Sequence, residues 1–231
     1  MTQNSAVHIH FTTEASSRVT SLAISCLPLS LVVFPCHPLS SLVISCHLLS
    51  SLSSLVIICH QLSSPVVPCH HLSSVVIPCH PLSSLVVTCH PLSSLVISCY
   101  HLSSVVITCH SLSLVVIPCL PLSSLVITCH QLSSLLIICH RLSSLVISCP
   151  LSSLVITCHQ LSSLAINCHH LASVVISCHP FLSVVPCHHL SSTVITCHQF
   201  SSLAINCHHL ASLVFICHPF SSLVVPCHHS E

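Results

Sequence analysis

LSSLVVTCHPLSSLVISCYHLSSVVITC, spanning Leu82–Cys109, decides how this chain reads. It carries three copies of a ten-residue unit, close to Cys-His-His-Leu-Ser-Ser-Leu-Val-Ile-Thr, that recurs from Cys26 almost to the C-terminus. The β-branched run before each Cys-His favours extended chain, and none of the abundant residues except Leu is a strong helix former. In an extended Leu85–His90, Leu85, Val87 and Cys89 face one side while Val86, Thr88 and His90 face the other. The polar slots therefore share a face, which describes a half-buried strand. Pro91–Ser94 then supplies a corner.

Strand plus corner in every unit predicts an all-β fold, either solenoid-like or a meander of short strands. Two units per coil give a rung of roughly twenty residues. A competing expectation comes from register. A slip by one unit leaves nearly every contact unchanged, and the chain has no glycine to make tight corners inexpensive. On that account the low-complexity decapeptide repeat forms an aggregation-prone, β-rich ensemble without a unique fold.

The unit also reads as nucleic acid. Three tandem copies of the ten-nucleotide word TGTCATCACC translate as Cys-His-His-Leu-Ser-Ser-Pro-Val-Ile-Thr, and one C-to-T change turns that Pro codon into Leu. Ten is not divisible by three, so every frame yields the same cyclic decapeptide. Departures from the unit follow codon adjacency. Leu48, Gln61, Pro38 and Arg141 replace the second His and lie one base from CAC; Tyr100 lies one base from CAT. Pro35, Pro68, Pro78, Pro118, Pro186 and Pro226 replace Thr before Cys. That change removes a backbone donor from a strand, and selection on structure should resist it.

Spacing agrees with this origin. Cysteines recur every ten residues except from Cys46 to Cys59 (thirteen), Cys149 to Cys158 (nine) and Cys178 to Cys187 (nine). Loss of three bases shortens a unit by one residue. Loss of a single base shifts the phase so that the peptide resumes three residues earlier, giving the stutter LSSLSSLVIIC at Leu49–Cys59. A frameshift that leaves the same peptide downstream requires a DNA period that survives reframing.

Three regions follow: residues 1–25, which do not repeat; the array at 26–229; and a stub at 230–231. At 231 residues the chain is long enough to bury ~70% of its unfolded surface. Charged residues make up 2% of it, far below the ~25% usual for soluble domains. Mean hydropathy is +1.02. With formal net charge near zero there is no electrostatic case for nucleic acid. A Ser pair, His or Pro interrupts each apolar run, so no ordinary membrane span of ~20 residues stands out, although composition leaves peripheral lipid association open. Val19–Phe34 imitates a signal peptide, but Arg18 is its lone upstream cation and Glu14 lies close by. No compartment is assigned.

Cysteine and histidine carry what chemistry there is: 21 and 25 residues, with 17 places where His follows Cys. Thiolate and imidazole suit Zn(II) or Cu(I), but neighbours on a strand point to opposite faces and the Cys-x2–4-Cys pairing of structural zinc is missing. Zinc or copper binding is therefore expected to be adventitious, with no dedicated cofactor. In an oxidising setting the odd cysteine count points to scrambled intermolecular disulfides. Catalysis is not expected, because near-identical Cys-His pairs single out none and the array has no carboxylate to orient an imidazole. The head offers only His8, His10, Glu14 and Arg18, too few for a site. Ser83–Ser84 and their equivalents are candidate surface rows or modification sites.

No residue is thus singled out as catalytic, cofactor-binding or metal-ligating. The leading expectation is a translated ten-nucleotide tandem repeat with no evolved biochemical function. A self-associating structural β-repeat protein comes second, and a Cys/His-rich metal-binding repeat third. Self-association is the one partnership expected.

Overall fold

The computed structural model describes residues 7–13, 19–26, 31–36, 39–46, 54–179, 182–197, 200–217 and 220–226. In chain order the strands are β1 (Val7–Thr13), β2 (Val19–Cys26), β3 (Leu31–Cys36), β4 (Leu39–Cys46), β5 (Ser54–Cys59) and β6 (Leu62–Cys69), then β7 (Leu72–Ser148), β8 (Leu151–Cys178), β9 (Leu182–Cys197), β10 (Phe200–Cys217) and β11 (Phe220–Val224). The long members wind around the molecule as continuous ladder. Together the strands form a β-solenoid of about nine turns, nearly all parallel. Among the described residues no helix is long and apolar enough to cross a membrane.

Each coil uses two units. Leu62 pairs with Leu82, Val66 with Val86 and Cys69 with Cys89, twenty residues on. One unit has no opposing face of its own. Two units enclose a common interior in which Leu85, Val87 and Cys89 join Leu95, Ile97 and Cys99 in one apolar cluster. That closure selects the twenty-residue register over the ten-residue slip, and the architecture is the solenoid-like one of the two all-β expectations.

Burial along β7 gives the cross-section. From Leu82 to Leu92 the buried residues are Leu82, Leu85, Val87, Cys89 and Leu92. Strict alternation holds only from Leu85 to Cys89. On either side two successive residues face outward or are half-buried, Ser83–Ser84 and His90–Pro91, and there the chain bends. The corner Pro91–Ser94 is therefore not wholly solvated, since Leu92 in its middle is 2% exposed.

Serine takes the place of glycine at these bends. The second hydroxyl of a pair donates back to the preceding coil, as Ser84 Oγ to the Ser63 carbonyl (3.4 Å), Ser134 Oγ to Ser113 (3.3 Å) and Ser163 Oγ to Ser143 (3.1 Å). A backbone acceptor at the bend is thereby satisfied by a neighbouring side chain.

Irregular units are absorbed at corners while cysteines stay aligned. Across the thirteen-residue unit Leu39 pairs with Leu62 and Cys46 with Cys69. Across the first nine-residue unit Cys139 pairs with Cys158. Its missing residue falls at the His corner, where Pro150 alone joins Cys149 to Leu151. In the second, Leu182 pairs with Ser202 and Ser183 with Leu203, and Cys187 keeps its place opposite Cys207. Two prolines in the Thr slot remain within the ladder, Pro68 opposite Thr88 and Pro186 opposite Asn206. Each forgoes one backbone donor.

At the N-terminal end Ser21–Cys26 lies in parallel register with Ser41–Cys46. β1 then runs antiparallel to β2, from Val7 opposite Cys26 to Thr13 opposite Val19.

Among the described residues one buried side chain is polar. Thr193 occupies the slot that Val174 and Leu213 fill in adjacent coils. It is 3% exposed, and its hydroxyl finds no hydrogen-bond partner. Valine keeps the volume and removes the orphaned oxygen. Thr193→Val is expected to stabilise the fold by about 1 kcal/mol or more, read as a higher urea midpoint at unchanged slope.

Candidate functional site

The solenoid sorts cysteine and histidine into different places. Cysteine is the last inward residue of each unit and histidine, next along, faces solvent. With two units per coil, each residue type forms two columns parallel to the solenoid axis.

Among the cysteines whose side chains the structure describes, one column runs from Cys59 through Cys79, Cys99, Cys119, Cys139, Cys158, Cys178 and Cys197 to Cys217, and the other from Cys69 through Cys89, Cys109, Cys129, Cys149, Cys168 and Cys187 to Cys207. Of these 17 thiols all but Cys217 are buried, and none is in a disulfide. Burial keeps the sixteen inward thiols from another chain's thiols. Neighbours touch along a column. Cys89 hydrogen-bonds with Cys109 and Cys69, and Cys129 with Cys109 and Cys149; these contacts and then burial push both thiols well above the ordinary thiol range. Cys109 receives hydrogen bonds from Cys129 and Cys89 and is held below that range. Where burial dominates, it pushes Cys168 up to about 12 and Cys187 to about 11.

Outside, the rings stack. His70 lies 5.4 Å from His90, His90 5.9 Å from His110, and His110 4.5 Å from His130. On the other side His60, His80 and Tyr100 follow one another at 5.9 and 4.9 Å. Leu120 then interrupts the row before His140, His159 and His179 resume it. Near the C-terminus there are two files side by side, His169–His188–His208 and His170–His189–His209, with spacings of 4.8–4.9 Å. Desolvation, then the neighbours His209, His170, His188 and His208, lower the His189 pKa. A shallow groove of about 660 Å³ follows the row of His60, His80 and Tyr100, lined also by Pro78, Pro118 and Leu120 among others.

Among the described residues this arrangement separates the two halves of each Cys-His pair. A thiol inside and an imidazole outside do not form a nucleophile and its base. Among the described residues no group of three or more His, Cys, Asp or Glu converges on a point where a metal could sit. His8 and His10 lie on β1, and Glu14 and Arg18 fall outside the described residues. The first serines Ser83, Ser93 and Ser103 are exposed, while the second of a pair, as Ser84, serves the bend. Alternation along the strand places the thiols inside and the imidazoles outside, but it does not disclose the side-chain contact between successive coils. That contact depends on which unit lies above which. No protein family, curated protein or solved structure matches this chain.

Proposed function

We propose that this chain is the translation product of a ten-nucleotide tandem repeat and carries no evolved biochemical activity. The observation that bears most weight is the set of unit lengths: thirteen residues once and nine twice, with the same peptide resuming after each. Orphaned Thr193 and the ladder prolines support the same reading, since Thr193 lies one base from the word's CCT codon, each proline one base from its ACC codon, and neither serves the fold. Serine and leucine have six codons each, so the source transcript provides the test. Persistence of the ten-base word through silent positions is the expected result. Scrambled silent positions beneath an intact decapeptide would mean selection on the protein and would overturn the proposal.

A second reading is a structural, self-associating β-repeat. It is favoured by the outward slots, where Leu114, Ile138, Val146 and Val175 are exposed on a surface almost without charge. Such a surface lacks the charges that keep β-proteins apart. Sedimentation velocity across a dilution series distinguishes the two: defined oligomers support the structural reading, and a monomer or polydisperse aggregate opposes it.

A further inference from the structure

We propose that the paired histidine files His169–His188–His208 and His170–His189–His209 form, in acid, a cationic strip that binds linear inorganic polyphosphate laid along the solenoid axis. This goes beyond the reading of the chain as a repeat by-product, because it needs only the geometry of the fold.

Placement is the first argument. Three successive coils carry His in both slots after Cys on one side of the solenoid, and all six side chains are exposed. The register sets His170 opposite His189 and His189 opposite His209. Along each file the rings lie 4.8–4.9 Å apart, with planes within 9° of parallel. Bonds from ring nitrogens lie in the ring plane, so the N–H groups of a file run side by side across the axis. They do not converge on a point between two rings. Such donors suit a row of anions and do not enclose a metal ion.

Charge density is the second. Each step of 4.8–4.9 Å brings two imidazoles. Residues of an extended peptide are about 3.3–3.6 Å apart, and charges along one nucleic-acid strand about 3.4 Å apart. Neither places two anions in one step. In polyphosphate every phosphorus carries a charge and a single oxygen separates it from the next, the closest match to the strip. Its internal groups are strongly acidic and stay ionised where imidazole, with an ordinary pKa of ~6.5, gains its proton.

The surroundings are the third. The outward slots beside the strip hold Asn167, Pro186 and Asn206 on one flank and Ala172, Ser191 and Ala211 on the other, none of them charged. Beneath it Cys168, Cys187 and Cys207 face inward, and burial pushes the first two thiols up to about 12 and about 11. The array holds no carboxylate. Arg141, paired in register with Gln160, belongs to the opposite side of the coil, and Glu231 falls outside the described residues. Desolvation, then His209, His170, His188 and His208, hold the His189 pKa below the ordinary imidazole value. A bound polyanion offsets that mutual repulsion, so binding draws protons onto the strip.

The test is calorimetric titration of the full chain with long-chain polyphosphate at pH 5.5 and 7.5. Two buffers of different ionisation enthalpy count the protons taken up, and far-UV dichroism follows the fold. The expected result is binding about tenfold tighter at pH 5.5, with proton uptake, loss of affinity in salt and a retained β spectrum. His188→Gln combined with His189→Gln should weaken binding about fivefold. The same exchange at His140 and His159, in the single file on the opposite side, should change it less than about twofold. Equal affinity at the two pH values, binding without proton uptake, or equal losses in the two double variants would each overturn the proposal. So would a single-stranded oligonucleotide, or orthophosphate, binding as tightly at equal phosphate concentration.

Discussion

Ile127→Asp is expected to open the solenoid at its middle and leave its two ends as separate folded blocks. Ile127 is fully buried, and Arg141 is the only ionised side chain in the array. An aspartate there has neither water nor a counter-charge. Placing an unpaired carboxyl in such a site costs about 4 kcal/mol or more, against about 0.5–1.5 kcal/mol for Ile127→Val. In a stack, each coil is held only by its neighbours, so the damage is local and cuts the column in two. Hydrogen exchange read by segment checks this. Protection should vanish around residue 127 and the coils beside it and survive in coils several turns away. Uniform loss along the chain would mean that the coils fold as a single unit.

The second large effect is alkaline unfolding. In an unfolded chain thiols ionise near 9.0, whereas in the fold burial holds the Cys187 proton to about 11 and the Cys168 proton to about 12. Between those values the unfolded chain has released protons that the fold retains, so stability falls as pH rises. The contribution is fully present below pH 9 and is lost as pH climbs through 11 to 12. Each such thiol adds up to about 1.4 kcal/mol per pH unit to the slope. Urea midpoints at pH 8, 9, 10 and 11 should therefore fall with increasing steepness, and Cys168→Val should flatten the curve. A midpoint independent of pH would show that the thiols are not excluded from water.

Much of this architecture is legible in the residues themselves. Leu85, Val87 and Cys89 inside with Thr88 and His90 outside follow from alternation, and the twenty-residue coil follows from the period. Local pattern placed a corner at Pro91–Ser94 but could not reveal its buried member. Leu92 lies between outward residues, and its burial is decided by the coil closing around it. Likewise the Ser84–Ser63 hydrogen bond and the Cys89–Cys109 contact join residues twenty or so apart, a distance set by closure and invisible within one unit. Thr193 could be identified as a departure from consensus, but its unsatisfied hydroxyl needed the packed core to become evident. The metal-ligand spacing missing from the sequence has a structural counterpart: the sulfurs are arranged in a line, where sequence motifs for metals describe clusters.

Successive units occupy opposite sides of the coil, and copy number therefore acquires parity. Unequal recombination that adds or removes an even number of units would leave every downstream residue on its present side and alter only the molecule's length. An odd change would transfer everything beyond it to the other side. The files led by His169 and His170 would then continue the row of His60 and His80, and the row of His140 would pass to the side of His70. Alleles of this array would thus fall into two surface classes, distinguished by whether the number of units gained or lost is even or odd.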